Sequence, residues 1–229
     1  IAKYHVIELS SFQLESFKCF NPYISILLNI SVDHMDRYDQ LEDYIKQKEK
    51  IINLNKNSFN IVCVDDKKTY NIYKKYKKNV IPISVNPIKN GLYFNKNSII
   101  DNFFPIKKNL YIKSISPSLY GAFNIENIMA AYVVARILNI KIENFLYMLK
   151  NFKGLPYRLE RIHKDHNLEI INNSKATNLN ASLKSIAIYD NIILILGGRT
   201  EEKNFKKILD FKKKINKVYL IGEVSIKIY

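Results

Sequence analysis

The chain has 229 residues and a formal charge of +15, from 36 basic and 21 acidic side chains. With 47% hydrophobic and 12% aromatic residues it can bury the core of one large domain or two modest ones, which excludes a wholly disordered protein. No apolar run approaches the roughly 18–20 residues of a membrane-spanning helix, and no cleavable signal pattern opens the sequence.

The segments YHVIEL (4–9) and YISILLNI (23–30) are short and nearly continuously apolar, the pattern of buried parallel strands. A helix is expected over 40–54, followed by a strand at 60–65, a lysine-rich helix, and a strand at 79–84. From 91 to 115 the pattern breaks into short β segments punctuated by Asn, Lys and Pro, which predicts hairpins. Helices are expected over 124–138 and 142–150, and GLPYR (154–158) then supplies a Gly/Pro break that divides the chain into 1–153 and 154–229. Beyond it, LERIHK and LEIIN read as a hairpin and 179–189 as a helix. NIILILGG (191–198) reads as a buried strand, 203–214 as a helix and 217–222 as a further strand. The fold class is therefore α/β, a mostly parallel sheet with a small hairpin region followed by a second α/β unit. A start without methionine and a close on EVSIKIY, the beginning of a helix, predict a piece of a longer protein.

The charge is carried by lysines; only Arg37, Arg136, Arg158, Arg161 and Arg199 are arginines. A nucleic-acid groove more often concentrates arginines with aromatics placed to stack on bases, so no nucleic-acid partner is expected. A basic nucleic-acid-binding module is kept as the alternative from a different class. Cys19 and Cys63 match no zinc or redox spacing, which predicts two reduced thiols in a cytoplasmic protein.

Three polar residues sit where a parallel sheet presents its ligands. Glu8 ends the first predicted strand and His34 follows the second, and open α/β sheets bind ligands outside such ends. A carboxylate and an imidazole there can ligate a divalent cation, Mg²⁺ or Mn²⁺ by their hardness; a loop cap and an ordinary loop histidine are the alternative. In DQLEDYIKQKEKII, Asp39 reads as an N-cap with Glu42 three residues on. Lys48 falls in the apolar stripe of Leu41, Tyr44, Ile45 and Ile52. A lysine on a buried face is biased toward the neutral amine, which can add CO₂ to become an anionic carbamate. A lysine snorkelling at the helix edge is the competing reading.

ELSSFQLE (8–15), LLNISVDHMDRY (27–38) and the lysine fourteen positions after His34 resemble the Mur ligases, in particular their D-glutamate-adding members. GAFNIENIMAA (121–131), FKGLPYRLE (152–160) and INNSKATN (171–178) agree in the same order. The resemblance implies the later part of a central ATPase domain over 1–153 and part of a Rossmann-like, amino-acid-binding domain over 154–229. It implies ATP and Mg²⁺ or Mn²⁺ as cofactors, and UDP-N-acetylmuramoyl-L-alanine and D-glutamate as substrates of a monomer without membrane attachment. A sister ligase of the meso-diaminopimelate-adding or folylpolyglutamate type is the alternative within the same class. By resemblance Glu8, His34 and Lys48 are metal ligands, with Lys48 carbamylated, and Ser10 lies near the reacting carboxylate. Asn124 and Asn127 fall at the adenine, Arg158 at ATP, Asn173 at the ribose, and Lys175 and Thr177 at phosphate and D-glutamate.

Four positions depart from the family pattern. Phe123 and Tyr157 replace histidines, Asn173 replaces an aspartate, and Glu201 falls where a D-glutamate-binding lysine is expected. Arg199 or Lys203 could stand in for that lysine. No G-x-x-x-x-G-K-[ST] occurs, so the 229 residues are expected to lack a phosphate cradle and, alone, to be inactive.

Overall fold

The computed structural model describes residues 2–31, 37–198, 205–223 and 225–226. The chain groups into two compact units, Ile1–Lys113 with Ile125–Phe145, and Ser114–Asn124 with Leu146–Tyr229.

The first unit opens with a short helix, α1 (Ser11–Ser16), and strand β1 (Ile24–Leu27), then alternates α2 (Leu41–Glu49), β2 (Phe59–Cys63), α3 (Lys67–Lys75) and β3 (Val80–Ser84). Strands β4 (Leu92–Asn95), β5 (Ser98–Asp101) and β6 (Lys108–Tyr111) complete a sheet of order β1-β2-β3-β4-β5-β6. It is parallel from β1 to β4 and antiparallel thereafter. Every residue of β3 is buried, as are the last four of β2, which is why these strands read as unbroken apolar runs. The β4–β5 hairpin turns through Lys96 and Asn97, both left-handed, as a two-residue primed turn requires.

A buried polar knot ties the strands at one end. Asn60 Nδ2 donates to the carbonyls of Asn53 and Asn79 at 2.7 and 2.9 Å, and its Oδ1 accepts from Ser25 Oγ at 2.7 Å and Asn53 N at 2.8 Å. A side chain this fully bonded can sit in a core without the cost of an unsatisfied amide. On one face Leu27, Ile30, Tyr38, Tyr44, Val62, Ile72 and Val80 form a continuous cluster roofed by α2 and α3.

Helix α4 (Ala122–Ile137) contributes Met129, Tyr132 and Val133, all fully buried. Its Arg136 pairs with Asp101 of β5, a carboxylate with no exposed surface. The other oxygen of Asp101 accepts the amides of Phe103 and Phe104, each at 3.1 Å, and Arg136 also lies over the Phe104 ring.

The second unit contains the end of α5 (Ile142–Asn151), an antiparallel hairpin of β7 (Glu160–Lys164) and β8 (Glu169–Asn172), and α6 (Leu179–Ile186). Strands β9 (Ile192–Gly197) and β10 (Ile215–Ile221) form a parallel pair. Asn178 caps α6 by accepting from Ala181 N at 2.9 Å.

Several expectations are corrected. Residues 4–9 form no strand: no ladder forms on the outer edge of β1 among the described residues, and Val6 is 101% exposed. Apolar content does not make a strand without a partner backbone. Helix α2 starts at Leu41, with Gln40 rather than Asp39 at the cap and no side-chain cap bond, and ends at Glu49. Its start follows the packing of its apolar face, which outweighs a single cap bond. Residues 206–211 of the expected 203–214 helix are 3₁₀ and bury no side chain, so nothing holds an α-helix there.

Breaking the Asp101–Arg136 pair strands a buried charge. Arg136→Ala is expected to cost about 3–5 kcal/mol in urea unfolding, and the double variant with Asp101→Ala less than the sum of the singles. Strict additivity would show that the two side chains act separately.

Candidate functional site

The sequence E-L-S-S-F-Q places a polar strip at the entry to α1. Ser10 is the N-cap, and a capping box closes around it: Gln13 N donates to Ser10 Oγ at 3.2 Å and Ser10 N donates to Gln13 Oε1 at 2.8 Å. Across from it, Tyr44 of α2 is buried against Tyr38. Lys48, one turn further on, follows it inward, with Nζ 5.3 Å from the Tyr44 ring centroid. Glu8, Leu9, Ser10, Gln13, Asn29, Ser31, Tyr44 and Lys48 together line a cleft of about 440 Å³.

Three residues singled out in the sequence, Glu8, Ser10 and Lys48, therefore meet in one place, although they arrive on an extended segment, a helix cap and a second helix. His34 lies outside the described residues, as do Arg199, Glu201 and Lys203. The donors offered are a carboxylate, hydroxyls, carboxamides and one amine. Apart from the amine this is an oxygen-rich set suited to a hard divalent cation, and a carbamate on Lys48 would complete it.

Sequence reasoning missed Gln13 and Asn29. The S-x-x-Q spacing was a readable capping signal for Gln13. Asn29 opens the Asn-x-x-x-Asp-His portion of LLNISVDHMDRY but was given no role; its Nδ2 donates across the unit to Glu126 Oε2 of α4 at 3.4 Å. Glu126 in turn lies with Cys63 Sγ and an Asp65 oxygen in a group spanning no more than 4.8 Å. That group is a hydrogen-bonded node: Asp65 accepts from Ser84 Oγ at 2.6 Å, Val85 N at 2.7 Å, Asn86 Nδ2 at 3.0 Å and the Cys63 thiol at 3.3 Å. Burial pushes the Cys63 thiol well above its ordinary pKa, which keeps it protonated as the donor.

Asn124 and Asn127 lie three residues apart near the start of α4. Asn124 is buried and donates to the Tyr120 carbonyl at 3.0 Å; Asn127 is exposed.

The second unit carries the remaining predicted residues on two loops. Arg158 is exposed on the turn 154–159, where Gly154, Tyr157 and Leu159 all take left-handed φ. A Cβ on Gly154 would stand 2.8 Å from Ser118 Oγ, so the turn needs glycine for space as well as for φ. Asn173 Oδ1 accepts from Leu159 N at 3.2 Å, and Lys175 N donates to the Tyr157 carbonyl at 3.0 Å. Arg158, Asn173 and Lys175 thus belong to one stitched pair of loops, with Thr177 exposed just beyond.

Residues 1–135 match the Mur ligase middle domain family. Among curated proteins, the UDP-N-acetylmuramoylalanine–D-glutamate ligase of Rickettsia bellii is 37% identical over 228 residues, covering 96% of this chain and 50% of that protein. The enzyme of the same name from Natranaerobius thermophilus is 36% identical over 227 residues, covering 97% and 49%. The chain spans about half the length of the curated relatives it matches. Among solved structures, MurF from Acinetobacter baumannii superposes with a TM-score of 0.68 at 15% identity, over 90% of this chain and 48% of that one. MurC from Thermotoga maritima gives 0.62 at 16% identity, over 94% and 54%. These superpositions establish the α/β fold. Among the described residues no helix is long and apolar enough to cross a membrane.

The Asp65 node has a pH signature. Burial would raise the carboxyl's pKa, but the bonds from Ser84, Val85 and Asn86 outweigh it and hold Asp65 below the usual carboxylate range. Its contribution is therefore present above the unfolded-state value and lost as pH falls through the lowered one. The stability gap between the native chain and Asp65→Asn, followed by thermal melts, should shrink between neutral pH and pH ~3. A gap that stays constant over that range would remove Asp65 as a charged hub.

Proposed function

The chain belongs to the Mur ligase family, and on that premise we propose that it is part of an ATP-dependent ligase that adds D-glutamate to UDP-N-acetylmuramoyl-L-alanine in peptidoglycan precursor synthesis. In this reading 1–153 belongs to the ATP-binding domain and 154–229 to the amino-acid-binding domain of a monomeric cytoplasmic enzyme. The observation that carries it is the convergence of Glu8, Ser10 and Lys48 on one polar cleft.

The reaction balances in two steps. The substrate carboxylate oxygen attacks the γ-phosphorus of ATP, the bond to the β-phosphate oxygen breaks, and ADP leaves an acyl phosphate. The D-glutamate amine then adds to the acyl carbon, loses a proton, and expels inorganic phosphate as the amide forms. Glu8, Lys48 and His34 would hold the divalent cation, which supplies charge stabilisation to the transferring phosphoryl group.

Lys48 is half-buried with Nζ 5.3 Å from the Tyr44 ring centroid, and carbamate formation would proceed through its neutral amine. Addition of CO₂ to the neutral amine with loss of one proton would give a carbamate whose oxygens carry the negative charge, an anionic donor in the cleft that Glu8 also lines. Ser10 is presented at the cleft by its capping box and would stand near the reacting carboxylate. Asn124 and Asn127 would read the adenine edge, Asn173 would stand at the ribose, and Arg158 would meet the phosphates of ATP. Lys175 and Thr177 would meet phosphate and the incoming D-glutamate.

In the full-length ligase, phosphate release should require D-glutamate and not proceed with L-glutamate or meso-diaminopimelate. Lys48→Ala should lower kcat by about 10²–10³-fold, with partial recovery on adding a short carboxylic acid. The 229 residues alone should release no phosphate in the same assay. Release driven by meso-diaminopimelate would instead indicate a sister ligase. Full activity of Lys48→Ala would remove the lysine from the chemistry.

A further inference from the structure

The two loops of the second unit share an arrangement that their individual roles do not explain. Tyr157 and Leu159, neither of them glycine, have φ of 63° and 48°, a conformation that L side chains adopt only when their surroundings hold them there. Leu159 is 5% exposed, so its side chain anchors the turn in the core, while Arg158 between the two points to solvent. Four hydrogen bonds hold the backbone in this state, one of them the local bond from Arg158 N to the Leu155 carbonyl at 3.2 Å. Glu160 accepts the Tyr157 amide at 2.8 Å, Lys175 N donates to the Tyr157 carbonyl at 3.0 Å, and Asn173 Oδ1 accepts the Leu159 amide at 3.2 Å.

Of these, only the Asn173 bond joins a side chain of the 173–177 loop to the arginine-bearing turn. We propose that Asn173 is a positioning residue: by accepting the Leu159 amide it sets the left-handed turn that aims Arg158, so that Arg158 and Lys175 bind an anionic ligand as one preorganised pair. This rests on the reading of Arg158 and Lys175 as phosphate-binding groups given above. Asn173 acts here through its oxygen on a backbone amide. A charge at this position is not needed for the task, and its Nδ2 remains available to a hydroxyl-bearing ligand. Two left-handed residues flanking Arg158 mean that release of the Leu159 amide lets the backbone relax toward ordinary φ and swings the guanidinium away. Loss of preorganisation weakens binding without removing any contacting group.

The test uses inorganic pyrophosphate as the probe, titrated into the 229-residue chain, together with amide hydrogen exchange at Leu159. Asn173→Ala should speed Leu159 exchange by about tenfold, while Asn173→Asp, which keeps the acceptor oxygen, should leave it near the native rate. Asn173→Ala should weaken pyrophosphate binding by about fivefold in the native background and leave it unchanged in an Arg158→Ala background, because the residue acts through that arginine. Equal weakening in both backgrounds, or native Leu159 protection in Asn173→Ala, would overturn the positioning role. If pyrophosphate binding is indifferent to Arg158→Ala in the native chain, the phosphate-binding reading falls and the proposal with it. The Leu159 exchange result then shows separately whether the stitch exists. Should Asn173→Ala not fold, Asn173→Ser, polar but too short to reach the amide, takes its place with the same expected outcomes.

Discussion

Tyr44 is the residue on which the first unit's arrangement turns. It is 4% exposed, packs its ring 5.4 Å from that of Tyr38, and Tyr38 in turn stacks on Phe12 of α1. Aromatic pairs of this kind add specific geometry to a large buried area, and here they fix α2 against α1. Once that contact is made, the helical repeat decides the rest. A residue four positions on lies one turn up the same face, so Lys48 is carried to the cleft that Glu8 and Ser10 line, whereas Lys46 and Lys50 are exposed.

The second unit uses a different device. Its loops at 154–159 and 173–177 are short and, at Tyr157 and Leu159, held away from comfortable φ. The Lys175–Tyr157 backbone bond, the bond from Leu159 N to the Asn173 side chain, and the buried Leu159 do the holding. A few of the basic residues have small structural roles. Lys214 donates to the carbonyls of Ala187 and Tyr189 just past α6 and pairs with Asp190, Lys75 binds Glu49 between α3 and α2, and Lys46 pairs with Asp43.

Much of this was legible in the sequence because local pattern and tertiary environment agreed. The unbroken apolar runs of β2 and β3 are buried on both faces, and the hairpin expected within 91–115 forms between β4 and β5, turning through left-handed Lys96 and Asn97. The stripe of Leu41, Tyr44, Ile45 and Lys48 gave the correct face of α2. Reading failed where a partner or a packing contact decides. YHVIEL has strand composition, but no ladder forms beside β1. Asp39 has capping chemistry, but the packing of Leu41 and Tyr44 sets the helix start. The Asn29–Glu126 bond joins residues 97 apart, and no local spacing foreshadows it. Asn173 was recognised as a polar substitution in a motif, but its bond to Leu159 depends on a φ that sequence does not display.

In the function proposed above, the seat of Tyr44 brings Lys48, as its carbamate, and Glu8 to one cleft as joint ligands of a divalent cation. Electron paramagnetic resonance of Mn²⁺ titrated into the chain in bicarbonate buffer tests it most directly. Bound Mn²⁺ is predicted for the native chain and for Lys46→Ala, with affinity weakened at least ~tenfold in Glu8→Gln and in Lys48→Ala. Equal Mn²⁺ affinity in all four proteins would contradict it.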